Sequence, residues 1–478
     1  MTEDPPAQPR AALHSVGCKL NQFETELLRQ ALEDRGYRIV ALEEPADVYI
    51  LNSCTVTSRT DRECRRLARG AKARNPHAYV VMTGCYAEVS RDDLADRGLA
   101  DLLVGNRDKS ALPDLIDAAL GRASLACTSG HLPPLPQGEG ELGDSTRQRP
   151  YLPPLPQGEG AGGEAPLLRE FRGHTRAFVK VQEGCAGGCS YCIIARARGP
   201  ESSVPSAQVV EQVRLLARRH PEIVLIGTHL GRYGRDLTGE VDLADLVELL
   251  CDLPELGRLR LSSLEPLEVT PALQDLVVAG GLSLASLNRP GHGKVCRHLH
   301  LPLQSGADSV LRRMGRPYRA EAYAALVTDL RRRQPGLALG ADVMVGFPGE
   351  TEAEFEETRR LLEALPLAYL HVFTFSPRPG TPAAEMPGQV PGQVKKERNH
   401  LLRALSDRKR AEFAAGQVGA TLEVVSEAGQ EGESYGLSDN YLRVALPSDA
   451  VRFPGVRAVR VIAAAGACLQ GSPSVAET

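Results

Sequence analysis

Residues 179–200, VKVQEGCAGGCSYCIIARARGP, leave this chain few options. Cys185, Cys189 and Cys192 follow one another as C-x3-C-x2-C, just after a strand-like run at 177–181. Glycines at 184, 187 and 188 let so short a loop wrap tightly. Three thiolates on one loop can hold three irons of a 4Fe–4S cube and leave the fourth iron open. Ordinary electron-transfer cubes take four cysteines, so the pattern suggests a coordination site kept for a substrate or cofactor. A structural zinc site also wants a fourth ligand, and none is near in sequence. The plainer alternative is three unrelated buried thiols, since cysteine packs as a small hydrophobe. The chain has eleven cysteines and no visible export signal or membrane-spanning apolar run. That favours cluster or metal ligation in a reducing cytoplasm over disulfides.

The first 120 residues alternate strand-like runs (11–16, 37–42, 47–51 and 79–83) with helical spacing at 22–35 and beyond Cys54. Such alternation predicts an α/β domain with a parallel sheet. Cys18, Cys54 and Cys85 each stand just past the C-terminal end of a strand that precedes a helix. In an open parallel sheet those loops share one edge, where ligands bind. Three thiols far apart in sequence are therefore expected to meet as a second cluster site; singly, each also reads as a small residue at a tight turn. Cys64 has no such placement and reads as structural. The Arg-rich helix around it (Arg59, Arg62, Arg65, Arg66, Arg69, Arg74) reads as a solvated face or an RNA contact.

LPPLPQGEG occurs at 132–140 and again at 152–160. A Pro/Gly/Glu-dominated stretch cannot bury enough apolar surface to offset its ordering entropy, so 122–170 reads as a linker insertion; 283–294 reads as a smaller one. From 171 to 402, six strand–helix units suggest an incomplete (β/α)6 barrel, with strands at 177–181, 223–226, 258–261, 298–303, 341–346 and 369–375. Active groups in such barrels gather at the C-terminal strand ends, which carry GTHLG (227–231), SSLEP (262–266), LPLQSG (301–306) and VGFPGE (345–350). Gly227 and Gly346 permit close backbone approach there, and Glu265, Gln304 and Asp342 are candidate polar contacts. Beyond a basic helix at 395–410, short strands at 421–427, 435–437, 441–446 and 458–464 suggest a small β-barrel of the kind that binds nucleic acid, with Tyr435 and Tyr441 available for stacking. The net charge of −4 means any basic face is local.

Taken together, VGCKLNQFETE (16–26), NSCTVT (52–57), GCYAE (84–88), CSYCII (189–194), RLSSLEP (260–266), HLHLPLQSG (298–306), DVMVGFPGET (342–351) and RPGTPAA (378–384) resemble the radical S-adenosylmethionine methylthiotransferases. With VKKER (394–398), they most resemble the branch acting on tRNA adenosine-37 that already carries N6-threonylcarbamoyl. The C-terminal barrel resembles a TRAM domain. The resemblance implies a methylthiotransferase N-terminal domain at 11–121, a radical S-adenosylmethionine core at 171–402 and a TRAM-like RNA-binding domain at 403–470. It implies two 4Fe–4S clusters: a radical-generating one on Cys185, Cys189 and Cys192, and an auxiliary one on Cys18, Cys54 and Cys85 where sulfur is activated. S-adenosylmethionine would bind at the open iron, near Tyr191, Gly227, Glu265, Gln304, Asp342 and Gly346. A 5′-deoxyadenosyl radical would abstract hydrogen from adenine carbon 2, and a methylthio group would replace it. The partners implied are the tRNA anticodon loop, a sulfur donor and a reductant such as flavodoxin or ferredoxin, in the cytoplasm and without a membrane. Related readings are a methylthiotransferase for isopentenyladenosine in tRNA or for a ribosomal-protein aspartate. A reading of another class is a non-catalytic iron–sulfur RNA-binding redox sensor. The chain departs from the family pattern at Ala195, Ser203, Val204 and His229.

Overall fold

The computed structural model describes residues 8–122, 166–239, 241–280, 292–427, 434–447 and 455–473. Both LPPLPQGEG copies, and residues 283–291 of the smaller insertion, lie outside the described residues. The chain divides into two compact units; Ile193–Arg198 belong with the first, everything else after Leu168 with the second.

The first unit is built on five strands, β1 (Arg10–Ser15), β2 (Arg38–Val40), β3 (Val48–Ser53), β4 (Tyr79–Gly84) and β5 (Leu102–Val104). They pair in the order β2-β1-β3-β4-β5, every neighbour parallel. Every residue of the central strand β3 is buried, as expected of a parallel strand covered on both faces. Alternation along it divides the core: Val48 and Ile50 pack with Leu28, Leu32 and Val81, while Leu51 packs with Leu67, Met82 and Cys64. Cys64 is thus a core residue, its thiol 3.7 Å from the Cys54 carbonyl. Helix Lys19–Asp34 follows β1 and ends before Gly36, whose φ of +81° a glycine adopts freely. Helix Ser58–Arg74 follows β3 and starts on a Thr57–Thr60 capping box.

In the second unit six parallel strands succeed one another: β6 (Arg176–Glu183), β8 (Glu222–Gly227), β9 (Arg258–Leu261), β10 (His298–His300), β11 (Ala338–Val345) and β12 (Tyr369–Thr374). A single bridge, Leu259 to Val295, carries the succession from β9 towards β10. Helices Ser206–Ala217, Leu243–Cys251, Pro271–Val278, Ala320–Arg333 and Glu352–Ala364 make the crossovers. This is the open (β/α)6 arrangement the alternation predicts. Two details differ from the sequence expectation. A two-residue strand, β7 (Ser202–Ser203), runs antiparallel to the end of β6. The fourth parallel strand is regular only to His300 rather than to Leu303, although the Leu301 and Leu303 N–H groups still donate to the Gly340 and Asp342 carbonyls at 2.9 and 3.1 Å. The free edge of β12 is closed by helix Gly392–Ala415. The Ser406 hydroxyl accepts the Leu370 N–H at 2.9 Å and donates to the Leu370 carbonyl at 3.0 Å, and Asn399 donates to the Val372 carbonyl at 3.2 Å. One helix thus blunts an edge that would otherwise template further pairing; it also runs across the 402/403 position expected as a domain boundary.

Strands β13 (Thr421–Glu427), β14 (Ser434–Ser438), β15 (Arg443–Leu446), β16 (Val456–Ala465) and β17 (Cys468–Pro473) close into a barrel, as predicted. It docks on the N-terminal ends of β8 and β9 through a fully buried charge network. Glu222 accepts from Arg258 at 2.6 Å and from Arg260 at 2.7 Å. The two guanidinium groups then donate onward to the carbonyls of Glu423, Leu437, Ser438 and Asp439. Burial opposes ionisation of Glu222, but the two arginines outweigh it and hold the carboxyl far below the usual range. Tyr441 is committed to the same interface, stacked 4.4 Å from His298 and 6.0 Å from Tyr369. One side of its ring is thereby covered, while the side chain stays partly exposed; Tyr435 lies under the Arg443 guanidinium at 3.7 Å. Glu222→Gln leaves two buried guanidinium groups undercompensated. Breaking a buried ion pair from one side costs about 3–5 kcal/mol, so we expect a large drop in thermal midpoint, read by calorimetry, with cluster content retained at low temperature.

Candidate metal centres

The cysteine loop of the second unit begins where β6 ends. Gly184 has a φ of +75°, and a Cβ there would lie 1.8 Å from the Pro200 carbonyl oxygen, so only glycine allows the turn. The Cys185 N–H closes the loop on the Gly199 carbonyl at 3.1 Å. Ser190 anchors its middle: its N–H donates to the Met314 carbonyl at 2.9 Å and its hydroxyl to the Arg313 carbonyl at 2.8 Å, while its carbonyl accepts from Ala383 at 2.8 Å. All three thiols are partly buried. Two of them are met by N–H donors. The Gly187 N–H reaches Cys185 Sγ at 3.2 Å and His229 Nδ1 lies 3.3 Å from it; Arg316 Nη1 lies 3.4 Å from Cys189 Sγ. Burial pushes the Cys185 thiol up, but His229 and Gly187 together bring it below its ordinary value. His229 itself resists burial through Cys185 and through Glu268, 2.9 Å from Nε2, and its pKa rises to about 9. Each of the two groups thus favours the charged form of the other. Donors aimed at thiolate sulfur are what an anionic, sulfur-ligated cluster needs, so this donor set fits a 4Fe–4S group.

The other residues singled out from sequence fall around this end of the barrel, with one exception. Glu265 is held by the Arg316 guanidinium. Tyr191 packs edge-on against Phe347, centroids 6.4 Å apart. Gly227 ends β8, and a Cβ there would press on Gln182 Oε1 at 3.0 Å, the atom that accepts the His229 N–H at 2.8 Å. Gln304 adopts a φ of +67°, rare for a residue with a Cβ, while its N–H bonds the Asp342 carbonyl at 2.8 Å. Gly346 has a φ of +74° and lies against the Lys395 stem. Asp342 is the exception: it lies three residues before the end of β11, its carboxylate taken by His300 and His371. The departures from the family pattern have local partners. Ser203 forms β7 and its hydroxyl accepts the Gly234 N–H at 3.0 Å; the Val204 carbonyl accepts the Tyr233 hydroxyl at 2.8 Å.

In the first unit, Cys18 caps helix Lys19–Asp34, Cys54 follows β3 and Cys85 begins helix Cys85–Val89. Gly17 has a φ of +100° and a Cβ on it would sit 2.6 Å from Cys54 Sγ, so the first two loops touch. Burial pushes the Cys54 thiol up to about 12, with the charges of Cys18 and Cys85 adding to the rise. A coordinating metal deprotonates such thiols outright, so three cysteines gathered at one sheet edge fit a metal or cluster. Beneath them lies a buried polar scaffold from the NQFETE motif. Glu24 pairs with Lys109 at 2.5 Å and with Arg198 at 2.8 Å; Arg198 also donates to Asn21 Oδ1 at 2.6 Å. Asn21 in turn donates to the carbonyls of Val16 at 2.9 Å and Ser53 at 3.1 Å, fixing the strand ends before Cys18 and Cys54. Asn106 reaches Cys85 Sγ at 3.6 Å. Sequence reasoning missed Lys109, Asn106, Arg198 and Arg316. The one available signal was a cationic residue, Arg198, six positions after Cys192.

Two family models match: the uncharacterized protein family UPF0004 over residues 10–105 and the radical SAM superfamily over residues 179–362. The threonylcarbamoyladenosine tRNA methylthiotransferase MtaB of Bacillus subtilis is 36% identical over 439 residues, 91% of this chain and 89% of that protein. The protein of the same description from Aquifex aeolicus is 36% identical over 84% of this chain and 89% of its own length. A tRNA-2-methylthio-N(6)-dimethylallyladenosine synthase from Moorella thermoacetica is 33% identical over 86% of each. Among solved structures, the radical S-adenosylmethionine methyltransferase TsrM of Kitasatospora setae, with cobalamin and a [4Fe-4S] cluster bound, superposes with a TM-score of 0.55 at 17% identity, covering 88% of this chain and 81% of that one. That likeness is one of fold.

Proposed function

The chain belongs to the radical S-adenosylmethionine methylthiotransferases, and from that premise we infer that it is the tRNA N6-threonylcarbamoyladenosine-37 C2-methylthiotransferase. The identity to relatives of that description, over most of both chains, carries the reading. The enzyme works with 4Fe–4S clusters and S-adenosylmethionine. We assign the radical-generating cluster to Cys185, Cys189 and Cys192, and the auxiliary cluster to Cys18, Cys54 and Cys85. Bound there, the groups supply a 5′-deoxyadenosyl radical and an activated sulfur.

This chain's own residues do the rest. Gly187 and Arg316 donate hydrogen bonds to ligand sulfurs, and His229 stands beside Cys185; such bonds ease acceptance of an electron. Arg316 also fixes Glu265 at the barrel mouth. Gly227 and Gly346 let Gln182 and Lys395 pack closely against the strand ends. The scaffold on Glu24 holds the auxiliary cysteines' strand ends in register. A sulfur donor and a one-electron reductant of the flavodoxin or ferredoxin class complete the reaction, and the tRNA is met at its anticodon loop. Among the described residues no helix is long and apolar enough to cross a membrane; a tRNA substrate places the reaction in the cytoplasm.

The test is reconstituted protein with S-adenosylmethionine, a reductant and anticodon stem–loops bearing either threonylcarbamoyl- or dimethylallyl-adenosine. Methylthiolation of the first and not the second is expected. Preference for the second would move the protein to the other branch, and cluster binding without methylthiolation of either would favour a redox sensor.

A further inference from the structure

Along β9 to β12, alternate residues face opposite ways. On β9 to β11 one face is apolar: Leu259, Leu261, Leu299, Ala341, Val343 and Val345 are all buried. The other carries Arg260, His298, His300, Asp342 and His371 on successive strands. Its lower layer is filled by the docked C-terminal barrel. The layer above it is not. Asp342 and His371 are direct cross-strand neighbours. Asp342 Oδ1 lies 2.9 Å from His300 Nε2 and 3.5 Å from His371 Nδ1. Burial would raise the Asp342 carboxyl; the hydrogen bonds from the two imidazoles outweigh it, so the group stays ionised. On the far side, His300 Nδ1 lies 3.1 Å from the Tyr369 hydroxyl, which is also 2.8 Å from His298 Nε2. Gly340 admits the Tyr369 ring, since a Cβ there would lie 2.2 Å from it.

The inner members of this chain of contacts are thus fixed on both sides, while its outer member is open. The His371 side chain is 47% exposed, its Nδ1 turned to Asp342 and its other nitrogen left for a ligand. Two residues nearer the strand end, Phe373 is 44% exposed, its ring edge-on to His371 with centroids 6.5 Å apart. In a chain with no tryptophan and nine phenylalanines, an exposed Phe beside a propped imidazole on the polar face of the sheet offers a surface for a ligand. An aromatic face stacks on any base. A hydrogen-bonding group held by buried partners selects polar atoms and rejects analogues that lack them.

We propose that Phe373 stacks on the target adenine and that His371, propped by Asp342 and His300, recognises the threonyl carboxylate and hydroxyl of its N6 substituent. The dimethylallyl group of the alternative substrate has no polar atom to offer His371. This inference rests on the threonylcarbamoyl reading above and names the residue that enforces it.

The experiment uses the full chain with both clusters reconstituted, measuring the Kd of each stem–loop, KM, kcat and the yield of 5′-deoxyadenosine without RNA. His371→Phe should weaken binding of the threonylcarbamoyl stem–loop by about tenfold or more, the range for losing a hydrogen bond to a charged group. KM should rise in step while kcat changes little, and the dimethylallyl stem–loop should bind as well as before or better. His371→Gln, which keeps a donor, should restore most of the difference. Phe373→Leu should weaken both stem–loops alike. Unchanged selectivity in His371→Phe, or an equal loss for both stem–loops, overturns the inference. If His371→Phe loses iron, His371→Gln decides: selectivity kept supports recognition, selectivity lost with iron intact contradicts it. A parent protein that does not methylthiolate the threonylcarbamoyl stem–loop overturns the functional reading instead.

Discussion

Cys189→Ala protein forms no 5′-deoxyadenosine from S-adenosylmethionine above background, and binds roughly half the iron of the parent. Disturbing even the outer shell of a metal site costs about 10–100-fold, so removal of a ligand from a three-thiolate loop exceeds that range. Cys189 is also the sulfur that Arg316 meets at 3.4 Å; without it the guanidinium keeps Glu265 but loses its link to the cluster. The fold should survive. The loop is anchored by Ser190 and closed by backbone bonds of Cys185 rather than by the Cys189 side chain. Thermal midpoint of the cluster-free protein should therefore be unchanged within error. Quantitative chromatography of 5′-deoxyadenosine checks the first outcome and iron analysis the second; persistent 5′-deoxyadenosine would refute the assignment of the radical-generating site.

Cys54→Ala separates the two halves of the chemistry. The variant should retain reductive cleavage of S-adenosylmethionine at near-parental rate, lose methylthiolation altogether, and again keep roughly half the iron. Cys54 is buried directly behind β3, its thiol against Gly17. Truncation to Ala removes one sulfur and leaves a small void, so a modest loss of stability in the first unit accompanies the loss of the auxiliary cluster. Loss of 5′-deoxyadenosine formation together with methylthiolation would show that the two sites are not separable in this way.

Much of the architecture is legible in the sequence, and for a definite reason. Cys18, Cys54 and Cys85 each follow an apolar run and precede a helical pattern, and a parallel sheet delivers all such positions to one edge. The open βα series followed from the alternation of strand-like and helical runs, although helix Pro271–Val278 was not among the expected elements. What the sequence hides is pairing at long range. Lys109 and Arg198 are isolated basic residues whose role depends on Glu24, 85 and 174 positions away, and no spacing announces that. Nothing local in the sequence showed that His298 and Tyr369 would pack against Tyr441. Asp342 looked like a cofactor contact because it opens the DVMVGFPGET motif, but in a strand that ends at Val345 it lies deeper than the mouth. The departure at His229 also had no readable meaning until Cys185 and Glu268 were found on its two nitrogens.

The central claim is that this chain methylthiolates carbon 2 of threonylcarbamoyl-adenosine in tRNA. Mass-spectrometric nucleoside analysis of total tRNA, from cells with the gene deleted and from the same cells complemented, tests it most directly. The account predicts that 2-methylthio-N6-threonylcarbamoyladenosine disappears in the deletion while its unmethylthiolated precursor accumulates. The parent gene should restore it and Cys189→Ala should not. An unchanged level of the methylthiolated nucleoside in the deletion, with dimethylallyl-adenosine left unmethylthiolated instead, would contradict it.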